Sequence, residues 1–188
     1  MSLQATTWQT VGPYFRIGLE YLNTTDLAPA GTPGEPVTVE GQILDGNGKP
    51  ISDALIEIWQ ANASGEYGGT VDNPVDGAAT VFSGFGRVPT DDEGRFSFST
   101  IQPGPVAGPS GAMQSPHLAI RLTMRGLLRG LSTRMYFPAE TLNSDPILQL
   151  VPEQRRATLI ATQKPGTPAT LQWNIEMQGE RETVFFDC

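Results

Sequence analysis

The chain has 188 residues and carries 12 Lys and Arg against 20 Asp and Glu, which gives a net charge of −8 at pH 7. This length predicts one domain over residues 1–188, and the negative charge argues against nucleic acid or an anionic membrane as a partner. With one Cys and one His, the chain cannot form an internal disulfide, and it cannot form a tetrahedral zinc site or a facial triad by itself. Because its N-terminus also has no signal-like segment, we expect a cytoplasmic protein.

The first predicted elements are two strands on either side of a polar turn. Apolar and polar residues alternate over residues 37–43 and again over residues 54–59, which is the period of a half-buried strand. Between them the letters DGNGKP, at residues 45–50, are typical of a tight turn. The sequence therefore predicts two strands that flank a Gly and Asn turn.

Further segments along the chain alternate in the same way. Phe96 and Phe98 share one face after the polar turn at residues 90–94, and residues 117–125 alternate with Leu118, Ile120, Leu122 and Met124 on one face. Residues 171–177 and the terminal residues 183–187 follow the same period, so each is predicted to be a strand. One short helix is predicted from Pro152, because proline is favoured in the first turn.

Strands separated by turn signals, without long helical segments, define the fold class. The chain is predicted to be all-β: a β-sandwich of mostly antiparallel strands with long loops and at most short helices. Residues 68–87 and 103–116 are the two long irregular stretches. Loops of this length usually carry function or lie at interfaces.

Several phrases resemble one protein family. They are QTVGPY at residues 9–14, DGNGKPISDALIEIWQANASGEY at 45–67, TDDEGRFSFSTIQPGP at 90–105, SPHLAIRL at 115–122 and TRMYF at 133–137. Their order and content are similar to those of the intradiol ring-cleaving dioxygenases, and within them the protocatechuate 3,4-dioxygenases. The resemblance covers nearly the whole chain.

The iron-binding chains of that family hold a non-haem ferric ion with two tyrosines and two histidines. The resemblance places His117 at the first histidine position, but Ala119, Val106 and Pro74 at the other three ligand positions, and Gln114 where the family has an arginine. Phenolate oxygen stabilises Fe(III), and neither valine nor proline has an atom to donate. The resemblance thus implies an iron-free, alpha-type chain, with Fe(III) held in a homologous beta-type partner chain.

The resemblance also implies a role for this chain in the partner's substrate pocket. In the family, the alpha-type chain contributes its N-terminal turn and an arginine in an R-G phrase, which correspond here to Thr10, Gly12, Pro13, Tyr14 and Arg125. The implied reaction is O2-dependent cleavage of protocatechuate to 3-carboxy-cis,cis-muconate, with alpha-beta pairs joined in a larger oligomer. Residues 1–35 are expected to form an N-terminal arm that packs on the partner.

Other interpretations stay open at this point. His117 suits a buried structural histidine, residues 10–14 suit an ordinary Gly-Pro turn, and Arg125 suits a solvated basic face with Arg129 and Arg134. The phrase at residues 41–54 also resembles carboxypeptidase-regulatory-like β-sandwich modules, which are non-catalytic binding or spacer domains. Likeness of fold is weak evidence about function.

Overall fold

A computed structural model describes residues 4–68, 82–108 and 111–187. The strands are β1 (Pro36–Leu44), β2 (Leu55–Trp59), β3 (Phe85–Pro89), β4 (Arg95–Ile101), β5 (Val106–Ala107), β6 (Met113–Gln114), β7 (His117–Thr123), β8 (Leu131–Tyr136), β9 (Thr162–Gln163), β10 (Thr170–Gln172) and β11 (Ile175–Glu176). The helices are α1 (Tyr14–Ile17) and α2 (Glu153–Arg156), with 3-10 turns at Glu20–Leu22, Glu140–Ser144, Leu148–Leu150 and Ala157–Leu159. No helix in these ranges is long and apolar enough to cross a membrane.

Two main sheets form the body of the molecule. In the first, β1 pairs antiparallel with β4 along one edge and parallel with β10 and then β11 along the other, while β9 extends the sheet beyond β10. The second sheet has the order β3-β2-β7-β8 and is antiparallel throughout. Strands β5 and β6 form a separate small pair.

One hydrophobic core joins the two sheets. The first sheet contributes Val39, Ile43, Phe96, Phe98 and Leu171, and the second contributes Ile56, Ile58, Leu118, Ile120 and Leu122. These are the apolar positions of the alternating segments, and a strand that covers a core on one face buries alternate residues. The predicted all-β sandwich of mostly antiparallel strands with short helices is confirmed.

The two strands predicted on either side of the turn at residues 45–50 form as β1 and β2. The Asp45 carboxylate accepts hydrogen bonds from the amides of Asn47 and Lys49, both at 2.8 Å, and Gly48 takes a φ of +75°, which suits glycine. The strands on either side nevertheless lie in different sheets. Both edges of β1 already have partners, so the chain crosses to the second sheet, where β2 pairs on both sides.

Of three other predicted segments, the helix forms as expected and the two strands do not form in full. The helix from Pro152 forms as α2, with Pro152 just before its first residue. The segment at residues 171–177 is split into β10 and β11. Between them the amide of Gln42 donates to the side-chain Oδ1 of Asn174 rather than to a backbone carbonyl. The terminal segment makes only one isolated bridge, between Phe186 and Ser132, so a full strand there was wrongly predicted.

Five strands were not predicted from the sequence. β3 begins inside the irregular stretch at residues 68–87, the β5 and β6 pair lies inside that at 103–116, β8 follows Arg125 and Arg129, and β9 follows the last 3-10 turn. The strands β5, β6 and β9 have two residues each, so they lack a full alternating period. β8 shows three buried positions among partly buried ones, so its pattern is not a clean alternation.

Candidate functional site

Arg125 lies beside a cavity at one end of the second sheet. The segment that follows β7, residues 124–130, turns back into β8, and Arg125 stands at the start of this turn. The cavity measures about 250 Å³, with Arg125, Asp53 and Thr123 along one side and Gly12 and Pro13 on the other. Its remaining wall is formed by Arg16 and by the apolar residues Val11, Phe15, Ile17 and Leu55. This volume and lining suit a small aromatic molecule with one polar group.

The N-terminal turn is built by its own local bonds. The amide of Phe15 donates to the carbonyl of Gly12 at 3.0 Å and starts the single turn of α1. Pro13 precedes that helix with helical dihedral angles, φ −61° and ψ −27°, and the ring of proline favours this φ. The Gly-Pro pair therefore sets the direction in which the chain enters the cavity wall.

The structure brings four of the five predicted site residues together. Gly12, Pro13 and Arg125 line the same cavity. Thr10 does not line it, but its hydroxyl accepts a hydrogen bond from the amide of Gly126, next to Arg125, at 2.9 Å. Tyr14 stands outside with its ring exposed, 80% of the residue being accessible. Tyr14 therefore does not belong to the cavity wall in this chain.

Arginines hold the N-terminal arm on the sandwich. Arg16 donates to the carbonyls of Ser52 and Thr90. Arg87 lies over the Phe15 ring at 5.0 Å and donates to the carbonyl of Phe15 at 2.9 Å. These contacts, of the cation–π and hydrogen-bond types, fix the turn to the edge of the second sheet.

Sequence reasoning missed two polar residues of this site. Asp53 accepts a hydrogen bond from Nε of Arg125. The buried Oγ1 of Thr123 has no hydrogen-bond partner among the described residues, which leaves it free for a group in the cavity. Neither position stands in a recognisable motif. In the structure Leu55 pairs with Thr123, and this register places Asp53 opposite Arg125.

His117 lies at the other end of β7, in a closed polar cluster. The residue is only 3% exposed, its Nδ1 lies 2.8 Å from the carbonyl oxygen of Ser115, and its ring packs against Tyr136 with 5.7 Å between centroids. The Tyr136 hydroxyl donates to Oδ1 of Asp145 at 3.1 Å. His117 and Tyr136 are thus both used by internal contacts.

Burial controls the protonation of both rings. It lowers the pKa of His117, an effect to which the positive charge of Arg134 adds and which the hydrogen bond to Ser115 and the charge of Asp145 oppose. Burial also raises the pKa of Tyr136 well above its usual value. A neutral imidazole and a neutral phenol are therefore the stable forms at neutral pH.

The residues at the family's ligand positions do not fit a ferric ion. Val106 and Ala119 carry no donor atoms, and the amide of Gln114 accepts a hydrogen bond from Arg134 at 2.7 Å. Pro74, at the fourth position, lies outside the described residues. Within the described ranges, no three His, Cys, Asp or Glu side chains come together in a metal-binding group. We derive no chemical step through iron in this chain.

Comparison with known proteins identifies the family of the chain. The sequence profile of a family described as dioxygenase matches residues 11–179. The protocatechuate 3,4-dioxygenase alpha chain of Burkholderia cepacia is 40% identical over 201 aligned positions, covering 99% of this chain and 98% of that one. The beta chain from the same organism is 36% identical, covering 88% and 74%.

A solved structure gives the same fold. The 3-chlorocatechol 1,2-dioxygenase of Rhodococcus opacus superimposes with a TM-score of 0.62 at 23% identity, covering 80% of this chain and 62% of that one. The sequence matches place the chain in the intradiol ring-cleaving dioxygenase family. The interpretation as a carboxypeptidase-regulatory-like module is therefore wrong.

Proposed function

We propose that this chain is the alpha-type subunit of a protocatechuate 3,4-dioxygenase, which completes the substrate pocket of a beta-type partner that holds Fe(III). The observation that carries the proposal is the contrast between the two ends of β7. Val106 and Ala119 lack donor atoms, and His117 is buried in internal contacts. Arg125 and the N-terminal turn, in contrast, border an open cavity.

The proposed reaction inserts both atoms of O2 into the ring. Protocatechuate and O2 give 3-carboxy-cis,cis-muconate, and the bond between the two hydroxylated carbons breaks. Iron bound in the partner would activate the catecholate for its reaction with O2. The residues of this chain act on the part of the substrate away from the metal, by binding and orientation.

Arg125 is suited to the substrate's carboxylate. Its side chain is 70% exposed, and only its Nε is engaged, by Asp53. The two terminal nitrogens, which have no partner among the described residues, form a planar pair of donors that matches a carboxylate. Gly12 and Pro13 would close the wall beside the ring, and Thr10 would hold that wall against residue 126.

The N-terminal arm supplies a surface for the partner. Within residues 1–35, the side chains of Trp8, Tyr14, Ile17 and Tyr21 are all more than half exposed, at 67%, 80%, 59% and 78%. Aromatic residues of this kind provide much of the contact energy at protein interfaces. We propose that this surface of the arm contacts the partner chain, and that the paired chains assemble into a larger oligomer. The cytoplasmic location stays a prediction from the sequence.

The deciding experiment is co-expression with the beta-type partner. The purified complex is expected to contain stoichiometric iron and to consume protocatechuate and O2 in equal amounts. The chain expressed alone is expected to lack the visible absorption of tyrosinate bound to Fe(III), because Val106 offers no phenolate.

Two results would contradict the proposal. The first is a tyrosinate band with stoichiometric iron in the chain alone. The second is a partner that reaches its full rate on protocatechuate without this chain. Adding the purified chain back to the partner, with iron content and rate followed together, separates loss of metal from loss of the pocket wall.

A further inference from the structure

We infer that Asp53 is a positioning residue, which holds Arg125 so that its two terminal nitrogens face the carboxylate of the substrate. The inference rests on the proposed function, since it assigns a partner to the arginine of that site. Asp53 accepts the hydrogen bond from Nε of Arg125. A guanidinium held at Nε presents its opposite edge, with both terminal nitrogens, to a ligand.

The pairing of β2 with β7 places the two residues opposite each other. Leu55 pairs with Thr123 in this antiparallel register, so the positions two residues beyond each, 53 and 125, continue the alignment past the strand ends. The Asp53 side chain is 24% exposed and that of Arg125 is 70% exposed. The carboxylate is therefore the fixed partner, and the arginine reaches outward from it.

Hydrogen bonds of neighbouring residues hold Asp53 in place. Arg16, in α1, donates to the carbonyl of Ser52, the residue before Asp53. The helix α1 directly follows the Gly12-Pro13 turn, and Thr10 bonds to the amide of Gly126, the residue after Arg125. The turn, Asp53 and Arg125 are thus fixed relative to one another before any ligand enters.

Such preorganisation has a specific consequence for substrate binding. A long exposed arginine loses rotamer freedom when it binds a ligand, and ordering it in advance reduces that cost. Because Asp53 also neutralises Arg125, its removal would increase the positive potential of the site. Charge alone thus predicts tighter binding of an anion in the absence of Asp53, whereas positioning predicts weaker binding. The two explanations therefore differ in sign.

The test is Asp53→Asn in the complex with the beta-type partner. We expect the KM for protocatechuate to rise roughly two- to fivefold, in keeping with one partly exposed ion pair, while kcat and iron content stay unchanged. The KM for catechol, which has no carboxylate, is expected to stay the same. Asp92→Asn removes an equal charge from an exposed residue outside the cavity and serves as the matched control.

A double-mutant cycle then connects Asp53 to Arg125. In an Arg125→Ala background, Asp53→Asn is expected to have no further effect, because the residue on which it acts is gone. Asp53→Glu keeps a charged carboxylate as the acceptor and is expected to recover much of the loss, whereas asparagine offers only a neutral amide oxygen. The glutamate variant also tests the inference if the asparagine variant assembles poorly. A lower KM in Asp53→Asn, equal losses on protocatechuate and catechol, or additivity in the cycle would each overturn the inference.

The same measurements separate this inference from the proposed function. If Arg125→Ala has full activity on protocatechuate, the proposed role of the arginine fails and Asp53 fails with it. If Arg125→Ala is impaired while Asp53→Asn equals the wild type, only the positioning role fails.

Discussion

The two ends of strand β7 have opposite characters. At its beginning, His117 is buried and its ring is held by Ser115 and Tyr136. Two residues past its end, Arg125 is exposed and keeps its terminal donors unused within the described residues. A closed polar cluster contributes to stability, whereas an open one can still bind a ligand. We therefore propose that ligand binding takes place at the arginine end of the strand.

Arg125→Ala tests the open end and has the largest expected effect. A hydrogen bond to a charged group contributes about 1.5 to 3 kcal/mol, so kcat/KM for protocatechuate in the assembled enzyme should fall roughly 10- to 150-fold. Iron content should not change. Steady-state kinetics and metal analysis measure both.

Arg95→Ala is the matched control, since Arg95 is an exposed arginine whose only ion pair in the described residues is a long one with Glu93. The loss should shrink for catechol if Arg125 contacts the carboxylate. Full activity of Arg125→Ala on both substrates would mean that the arginine is only a solvated surface residue.

Tyr136→Phe tests the closed end. The Tyr136 hydroxyl donates to the buried carboxylate of Asp145, so its removal should cost about 1.5 kcal/mol and lower the melting temperature by about 3 to 6 °C. Activity at low temperature should be unchanged. Thermal unfolding of the complex measures the shift, and Tyr67→Phe, at a partly exposed ring outside the N-terminal arm, is the control. An active-site defect without loss of stability would contradict the closed-cluster interpretation.

Thr10→Val tests how firmly the turn is attached at the open end. Valine keeps the shape of threonine but cannot accept the hydrogen bond from the amide of Gly126. Loss of one neutral hydrogen bond, about 0.5 to 1.5 kcal/mol, should lower kcat/KM roughly 2- to 10-fold. Thr7→Val, in the exposed part of the arm, is the comparison variant, and equal kinetics for the two would remove this bond from the site.

His117→Gln should have the smallest effect on activity, because the described residues around His117 do not form a metal-binding group. Its effect should appear in the pH dependence of stability. Burial lowers the pKa of His117, so below about pH 6.5 the unfolded chain binds more protons than the folded one, and stability falls as the pH falls.

The glutamine variant should show a smaller decrease in melting temperature between pH 7.5 and pH 5.5, in which range it has no imidazole to protonate. Melting curves of the complex at the two pH values, for wild type and variant, measure this difference. Identical decreases would show that His117 does not titrate differently on unfolding, and a large loss of ring cleavage would show that it belongs to a working site.

Local periodicity predicted the strands that cover the core. The alternation around Val39, Ile56, Phe98 and Ile120 corresponds to strands whose apolar positions are buried. Where the pattern is short or interrupted, it failed: β3 and β8 were missed, and the terminal segment around Phe186 forms only an isolated bridge. Pairing with neighbours, rather than local preference, determines those segments.

The candidate site was predicted in part. The residues in the N-terminal turn and Arg125 were identified from a family resemblance, and the structure places Thr10, Gly12, Pro13 and Arg125 together. Tyr14 lies apart, because the helix it begins directs its ring to the outside. No local pattern could show this, since the orientation of a one-turn helix depends on what it packs against.

The residue types along the chain show which atoms it can offer. Valine at 106 and alanine at 119 provide no ligand for iron, and the strand period determines which residues face the core. Which residues meet became clear from strand pairing: Asp53 reaches Arg125 because Leu55 pairs with Thr123. Side-chain chemistry is a property of each residue, whereas strand register is set by contacts between segments far apart in the chain.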